Sequence, residues 1–186
     1  MSEAEDTDGD WPAELARFLE RHPRATWPNA NSAAAAFWLD VHDHLRRDAA
    51  GLTAASDAYR SSPAQLAAVA EPRLRGLVAA MHGHHQIEDF HYFPTFRRAE
   101  PRLAAGFDRL EREHASLARR IEAAFAALRE LRAAVQRSAE PSAPPTVQLA
   151  VQRYVDAAAA LCLELEGHLN DEENLVVPLL LESGAY

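Results

Sequence analysis

The segment HGHHQIEDFHYFP, residues 82–94, holds four of the nine histidines in this chain of 186 residues. Within it His84 and Glu88 stand four residues apart, so a helix would carry both side chains on one face. The same spacing recurs in GHLNDEENLVVPLL, residues 167–180, where His168 precedes Glu172. These two pairs predict two helices that each direct an imidazole and a carboxylate toward a shared partner.

The composition indicates a helical protein with a sizeable core. Hydrophobic residues make up 48% of the chain, glycine occurs only seven times, and Ala, Leu, Arg and Glu are abundant. The formal net charge of -9 argues against nucleic acid or an anionic membrane as a partner. No apolar run reaches the roughly 20 residues of a membrane span, and the N-terminus lacks the apolar region of a signal peptide. With Cys162 as the single cysteine, we expect a cytoplasmic protein.

Hydrophobic periodicity predicts four long helices, preceded by a short one within WPAELARFLERHP, residues 11–23. The long helices are expected at about residues 32–59, 72–96, 101–138 and 146–182. Asn31 or Ser32 should cap the first, and Pro94 should bend the end of the second. RSSPAQLAAVAEP, residues 60–72, is expected to connect the first two long helices.

The apolar residues of these helices recur in steps of three and four, which is typical of packed bundles. Short connections place consecutive helices side by side and antiparallel. We therefore predict an all-α fold, an up-down-up-down antiparallel four-helix bundle with a short extra helix at the N-terminus. A flexible acidic lead at residues 1–10 should precede a single domain at residues 11–186, with its core at about residues 30–182.

Polar residues interrupt the apolar stripes at one depth of this bundle. They come early in the first and third helices and late in the second and fourth, which is one level when neighbours are antiparallel. Burying such groups costs several kcal/mol each unless they are paired or bound to a metal. The interrupting residues are His42, His84, Glu88, His114, His168 and Glu172. We predict that they are the ligands of a two-metal centre.

The ligand types narrow the choice of metal. Imidazoles and carboxylates suit Fe, Mn or Zn, and a set of six with carboxylates able to bridge two cations fits a pair of irons better than one tetrahedral zinc. His85 is a candidate additional ligand because it stands three residues before Glu88. Asp89, Asp171 and His91 are candidates to orient ligating imidazoles. His44 and His82 fall off the stripes, and Glu173 as a ligand would require a helical bulge.

Four segments resemble the hemerythrin-like family of HHE cation-binding domains. FWLDVHDHLRRD, HHQIEDFHYFP, EREHASL and GHLNDEENLVVPLL are similar to the ligand segments of its four helices in order, and the resemblance spans about residues 30–182. It implies a four-helix bundle with a non-haem di-iron centre, bridged by two carboxylates and usually by an oxo or hydroxo group. Carried over by position, the bridging carboxylates would be Glu88 and Glu172.

The family implies a function, and this chain departs from the oxygen-carrying members of the family in its fourth-helix signature. Its oxygen carriers of invertebrate blood have five histidine ligands and an Asp placed one residue further along the fourth-helix signature. This chain has Glu172 instead, and the motif does not fix a fifth histidine, which argues against simple reversible oxygen carriage. The resemblance implies binding of, or reaction with, oxygen, nitric oxide or hydrogen peroxide in sensing, storage or stress response. A redox or signalling partner chain would be needed for a further output.

Two other functions stay open. A ferritin-like or rubrerythrin-like oxidase or peroxidase uses Glu-x-x-His on two helices. Here only Glu111 and His114 fit that spacing, since Leu165 stands three residues before His168. A metal-free interaction bundle would require the interior polar groups to satisfy one another.

Overall fold

A computed structural model describes residues 11–138 and 147–183, and these residues form helices and no strand. The helices are α1 (Ala13–Arg21), α2 (Ala33–Ala58), α3 (Pro63–Ile87), α4 (Phe93–Ala99), α5 (Ala104–Ser138) and α6 (Val147–Ser183). Two 3-10 segments, Arg24–Asn29 and Pro101–Leu103, and a π-helical turn, Glu88–Tyr92, complete them. The all-α prediction is confirmed. The expected acidic lead at residues 1–10 lies outside the described residues.

The first long helix begins where its capping residue predicts. The hydroxyl of Ser32 accepts a hydrogen bond from the backbone N–H of Ala35 at 3.2 Å, which satisfies one free donor of the first turn of α2. The predicted short helix is α1, which buries Leu15 and Phe18 and packs against α6. The N-terminal segment is thereby attached to the main body of the fold.

The start of the second long helix was predicted wrongly. α3 begins at Pro63 rather than Pro72, so residues 60–72 are mostly helix and not a connection. Pro63 lies in the first turn, where backbone N–H groups make no hydrogen bond within the helix, so the lack of an N–H in proline has no cost there. Pro72 lies inside the helix, where the lack of a backbone N–H removes one helical hydrogen bond. Leu66 and Leu74 are both fully buried on one stripe, and their burial compensates for that loss.

The π-helical turn accommodates Pro94 and shapes the end of α3. Pro94 has no N–H to donate to the carbonyl four residues earlier, so the regular α-helical pattern loses a hydrogen bond there. Instead the N–H of Phe93 bonds the carbonyl of Glu88, a wider five-residue step, and α4 then begins. The bend expected at Pro94 is therefore a π turn, and it begins at Glu88 itself. Such turns occur frequently at functional sites.

Four helices enclose the interior, because α2 packs on α3 and α6, and α5 packs on the same two helices. Their buried apolar residues form two clusters. One contains Leu45, Met81, Leu117 and Leu165, and the other contains Trp38, Leu110 and Leu175. The predicted ligand residues lie between the two clusters along each stripe, where His42 separates Trp38 from Leu45 and His114 separates Leu110 from Leu117. No described helix is long and apolar enough to cross a bilayer.

Candidate metal centre

The structure brings all the predicted ligand residues to one interior site, together with His85. Helix α2 supplies one imidazole, α3 two, α5 one and α6 one, and the two carboxylates come from the start of the π turn and from α6. These residues are His42, His84, His85, Glu88, His114, His168 and Glu172. They form two groups, in each of which the ligand atoms lie within 4.8 Å of one another.

The first group, which we name the three-imidazole cluster, consists of His85, His114 and His168. The ring of His85 stacks on that of His114 with centroids 3.8 Å apart, and the ring of His168 lies 4.8 Å from that of His114. Three imidazoles from three helices therefore converge on one point. Three nitrogen donors in this arrangement can hold one metal ion.

The second group, the mixed cluster, consists of His42, His84, Glu88 and Glu172. The Nε2 atoms of His42 and His84 lie 3.0 Å apart, and His84 Nε2 lies 2.9 Å from Glu88 Oε1. His84 and His85 are consecutive on α3, and successive residues of a helix point about 100° apart. One helix thus supplies an imidazole to each cluster.

The two carboxylates each face both clusters. In Glu172, Oε1 lies 3.1 Å from His42 Nε2 of the mixed cluster, and Oε2 lies 3.3 Å from His168 Nε2 of the three-imidazole cluster. In Glu88, Oε1 faces His84, while Oε2 lies 3.6 Å from His114 Nε2. Each carboxylate can therefore donate one oxygen to each of two metal ions. This is the arrangement of a bridging ligand.

The buried atoms of the site fit metal ions better than they fit one another. Six side-chain atoms form no hydrogen bond, although all but His85 Nε2 lie 2.9, 3.3 or 3.6 Å from another ligand atom: Nε2 of His85, His114 and His168, both oxygens of Glu88, and Oε2 of Glu172. Native proteins rarely leave buried polar atoms unsatisfied, because each one costs about 1–3 kcal/mol. All six are nitrogen or oxygen lone pairs directed at the same interior space. A pair of cations would satisfy them together.

The pKa shifts divide the ligands between rings that are neutral and groups from which a metal would displace a proton. Burial and the neighbouring imidazoles lower the pKa of His85 to about 2, and burial lowers that of His84 to about 4, so both rings are neutral. Burial and the charge of Glu172 raise the pKa of Glu88. Burial also acts to raise the pKa of Glu172, but His42 and His168 outweigh it and hold this pKa well below its usual range. Burial acts to lower the pKa of His168 and of His42, but their carboxylate partners outweigh it, raising the pKa of His168 to about 9 and that of His42 above its usual value. Binding of metal cations would therefore displace protons from His42, Glu88 and His168.

Three of the imidazoles are oriented by carboxylates outside the clusters. Nδ1 of His42 donates to Glu173 at 3.1 Å, Nδ1 of His114 to Asp89 at 2.9 Å, and Nδ1 of His168 to Glu113 at 2.9 Å. A proton held on Nδ1 leaves the Nε2 lone pair directed into the site. Carboxylate partners of this kind fix ring orientation and strengthen an imidazole as a ligand.

These partners differ in part from the predicted ones. Asp89 has the expected role, but Asp171 bonds Arg109 and not an imidazole. Glu113, which the stripe pattern did not single out, orients His168 in its place. His91 is exposed and packs beside Tyr92, away from the clusters.

Other polar residues that the sequence left uncertain now have positions. His44 and His82 are exposed, as expected for residues that fall off the stripes. His85 lies in the three-imidazole cluster, whereas the sequence offered it only as a candidate additional ligand. Cys162 is partly buried at the edge of the core, and its burial raises the pKa of the thiol.

Glu173 anchors His42 through an ionic network. Its side chain is 2% exposed, with Oε1 accepting from Arg46 at 2.6 Å and Oε2 from Arg24 at 2.9 Å. Burial acts to raise the pKa of Glu173, but bonds from His42 and Arg46 lower it to about 2. Glu173 is therefore an ionised acceptor for His42. It needs no helical bulge, because it approaches the imidazole from the side opposite the clusters.

We expect Glu173→Gln to weaken metal binding by about 10- to 100-fold, because His42 loses its charged acceptor. Competition between the protein and a chelator for Fe²⁺ measures this change. Glu166→Gln is the matched control, since Glu166 also bonds Arg46 at 3.1 Å but is half-exposed and contacts no imidazole. Equal affinities in the two variants would show that Glu173 does not orient a ligand.

Comparison with known proteins identifies the family. The model of the Hemerythrin HHE cation binding domain matches residues 33–130, which is more than half of the chain. No curated protein and no solved structure gives a match. The matched residues run from α2 into α5, whereas His168 and Glu172 on α6 lie beyond them and are placed by geometry. The length of the match shows that the chain belongs to the hemerythrin HHE cation-binding family.

Proposed function

We propose that the two clusters hold a non-haem di-iron centre that binds or reacts with a small ligand: oxygen, nitric oxide or hydrogen peroxide. The observation that carries this proposal is the set of six unsatisfied buried atoms shared between the clusters. Membership of a cation-binding family that typically takes iron supports it. Bound iron would supply redox chemistry and an open coordination position. We propose that it serves in sensing, storage or stress response.

The donor count assigns different roles to the two clusters. The three imidazoles of His85, His114 and His168, with one oxygen from each bridging carboxylate, would give one metal five protein ligands. The mixed cluster offers only His42 and His84 besides the bridging carboxylates, which makes four. A metal of octahedral preference therefore keeps more room for a small ligand at the mixed cluster.

Residues around the mixed cluster hold the bridging carboxylate and pack against the two imidazoles. The indole N–H of Trp38 donates to Glu172 Oε1 at 2.7 Å, and the indole ring packs within 6.2 Å of the rings of His42 and His84. Met81, Leu117 and Leu165 are fully buried nearby. Trp38 thus fixes the carboxylate on the side where the small ligand would bind.

We also propose the up-down-up-down order of the four long helices within one domain. Contacts between α5 and α6 support it, because Arg109 pairs with Asp171, Arg120 with Glu164, and Arg153 with Glu130. Rising numbers on one helix meet falling numbers on the other. Contacts of α2 with α6 follow the same rule, from Trp38 with Glu172 to Arg46 with Glu166. A cytoplasmic location stays a prediction from composition.

The alternative functions find less support. The oxidase or peroxidase hypothesis requires Glu111 to act as a ligand together with His114, but the side chain of Glu111 is 41% exposed and pairs with Arg97 at 2.9 Å. A metal-free interaction bundle would require the buried polar groups to satisfy one another, and six of their atoms form no hydrogen bond although most lie within ion-pair distance of another ligand atom.

Rapid mixing of the reduced, iron-loaded protein with each small ligand tests the function. We expect an absorbance change with at least one of oxygen, nitric oxide and peroxide. His84→Ala should abolish this change because it removes an imidazole from the mixed cluster, whereas His82→Ala, which alters an exposed histidine of the same helix, should preserve it. If the iron-loaded wild-type protein responds to none of the three, the proposed function is wrong.

A further inference from the structure

Residues 11–32, the N-terminal segment, extend one charged side chain toward the metal centre, that of Arg24. This residue opens the 3-10 helix between α1 and α2, and its guanidinium lies against α6. Nη1 donates to Glu173 Oε2 at 2.9 Å, Nε to Asn174 Oδ1 at 2.8 Å, and Nη2 to the backbone carbonyl of Asn170 at 2.8 Å. The N-terminal segment therefore contacts the carboxylate that orients a predicted ligand.

Glu173 depends on charged donors because its carboxylate is almost completely buried. Its side chain is 2% exposed, and its Oε1 accepts from both His42 and Arg46. The other oxygen, Oε2, accepts from Arg24. Without Arg24 this oxygen would lose its charged donor, and the carboxylate could rotate toward Arg46 and away from His42. The orientation of the imidazole thus depends on a residue two hydrogen bonds away.

Arg24 also holds the turn of α6 that carries a bridging carboxylate. Asn170 and Asn174 stand one turn apart, and Glu172 lies between them. A guanidinium presents its N–H groups in a rigid plane, so three hydrogen bonds fix its orientation. Cζ of Arg24 lies 4.7 Å from the ring centroid of Trp27, which adds a cation–π contact. The guanidinium is therefore held at both ends of this turn.

The N-terminal segment lies before the part of the chain that matches the family model. The match begins at residue 33, whereas α1 and the following 3-10 helix occupy residues 13–29. Leu15 and Phe18 of α1 are buried, and α1 packs against α6. The family match therefore does not account for the contact between this segment and the metal centre.

We propose that Arg24 is a positioning residue of the metal centre, through which the N-terminal segment sets the affinity of the mixed cluster for its metal. Arg24 orients Glu173, and Glu173 orients His42. The main effect falls on the mixed cluster, because His42 belongs to it. This role rests on the two-metal centre of the proposed function and adds to it a residue outside both clusters.

Competition between the Co²⁺-loaded protein and a chelator, followed by the visible absorption of the bound ion, tests this role. Arg24→Gln should weaken the binding of one Co²⁺ by about three- to tenfold and change its absorption band, because His42 is oriented less well. The loss is smaller than for Glu173→Gln, since Arg46 still bonds that carboxylate. Arg24→Lys keeps a positive charge beside Glu173 and should restore most of the affinity, although it lacks the planar contacts of a guanidinium.

Arg21→Gln is the matched control, because Arg21 also joins the N-terminal segment to α6. Its side chain is 50% exposed, against 42% for Arg24, and it pairs with Glu182 and lies over the ring of Phe18. Its replacement should leave the affinity and the spectrum unchanged.

Equal affinities in Arg21→Gln and Arg24→Gln would overturn the proposal, and so would an Arg24→Lys variant that binds as weakly as Arg24→Gln. Thermal denaturation of the same variants reports any general loss of stability. A wild-type protein that binds one Co²⁺ instead of two would contradict the di-iron centre, while the comparison of the arginine variants would still decide the role of Arg24.

Discussion

Replacement of Glu172 by alanine is expected to remove both metal ions from the purified protein. This residue is fully buried, and its two oxygens face imidazoles of different clusters, His42 on one side and His168 on the other. Its loss therefore takes one ligand from each metal, together with one of the negative charges that offset two cations. Metal analysis of protein produced in iron-replete cells measures the outcome.

The same change should destabilise the fold. Without Glu172, the indole N–H of Trp38 and the Nε2 atoms of His42 and His168 lose their acidic partner in a buried site. Breaking a buried ionic arrangement by removing one partner costs about 3–5 kcal/mol. Thermal denaturation should show a lower melting temperature, and Glu172→Gln, which keeps the shape and removes the charge, should still fold but bind less metal.

Glu166→Ala serves as the control for Glu172→Ala. Glu166 lies on the same helix, is half-exposed, and bonds Arg46 rather than an imidazole. It should retain both metals and most of the stability. Full metal occupancy in Glu172→Ala would refute the assignment of this residue as a bridging ligand.

His85→Ala should leave one metal bound and release the other. His85 belongs to the three-imidazole cluster, where its ring stacks on that of His114, and it supplies no atom to the mixed cluster. Removing it reduces that cluster to two imidazoles while His42 and His84 keep their positions. Metal analysis should give about half the wild-type content, and the affinity of the variant for the lost metal should fall by at least about tenfold.

His82→Ala isolates the effect of His85 from any general change in α3. His82 is exposed on the same helix and is absent from both clusters. Its replacement should leave metal content unchanged. If His85→Ala also keeps the wild-type content, His85 is a packed histidine, and the first cluster has only two imidazole ligands.

Much of the fold was predictable because helical periodicity is a local property of the sequence. The cap at Ser32 and the apolar steps of α5 and α6 follow directly from residue type and spacing. The start of α3 was missed because Pro72 is a typical helix-start residue, and only the burial of Leu66 on the preceding turns shows that the helix extends back to Pro63. The π turn likewise depends on how the chain relaxes around Pro94.

The site was predictable to the extent that its residues interrupt apolar stripes. His42 and His114 stand alone on theirs, and the two i,i+4 pairs mark Glu88 and Glu172. His85 was ambiguous because it lies between two stripes, and only the approach of α5 and α6 decides its role.

The orienting carboxylates were harder to foresee. Glu113 stands next to His114 in the sequence yet bonds His168 on another helix, and Glu173 bonds His42 on α2. Contacts between helices depend on the rotation of each helix about its axis, which spacing within one helix does not specify. An acidic residue adjacent to a ligand is the available signal, and it does not tell which imidazole the residue serves.

Anomalous diffraction at the iron edge from crystals of iron-loaded protein tests the central claim most directly. We predict two peaks per chain, one among His85, His114 and His168 and the other beside His42 and His84, with Glu88 and Glu172 between them. A single peak, peaks outside these clusters, or no iron signal from protein loaded with iron would contradict the account.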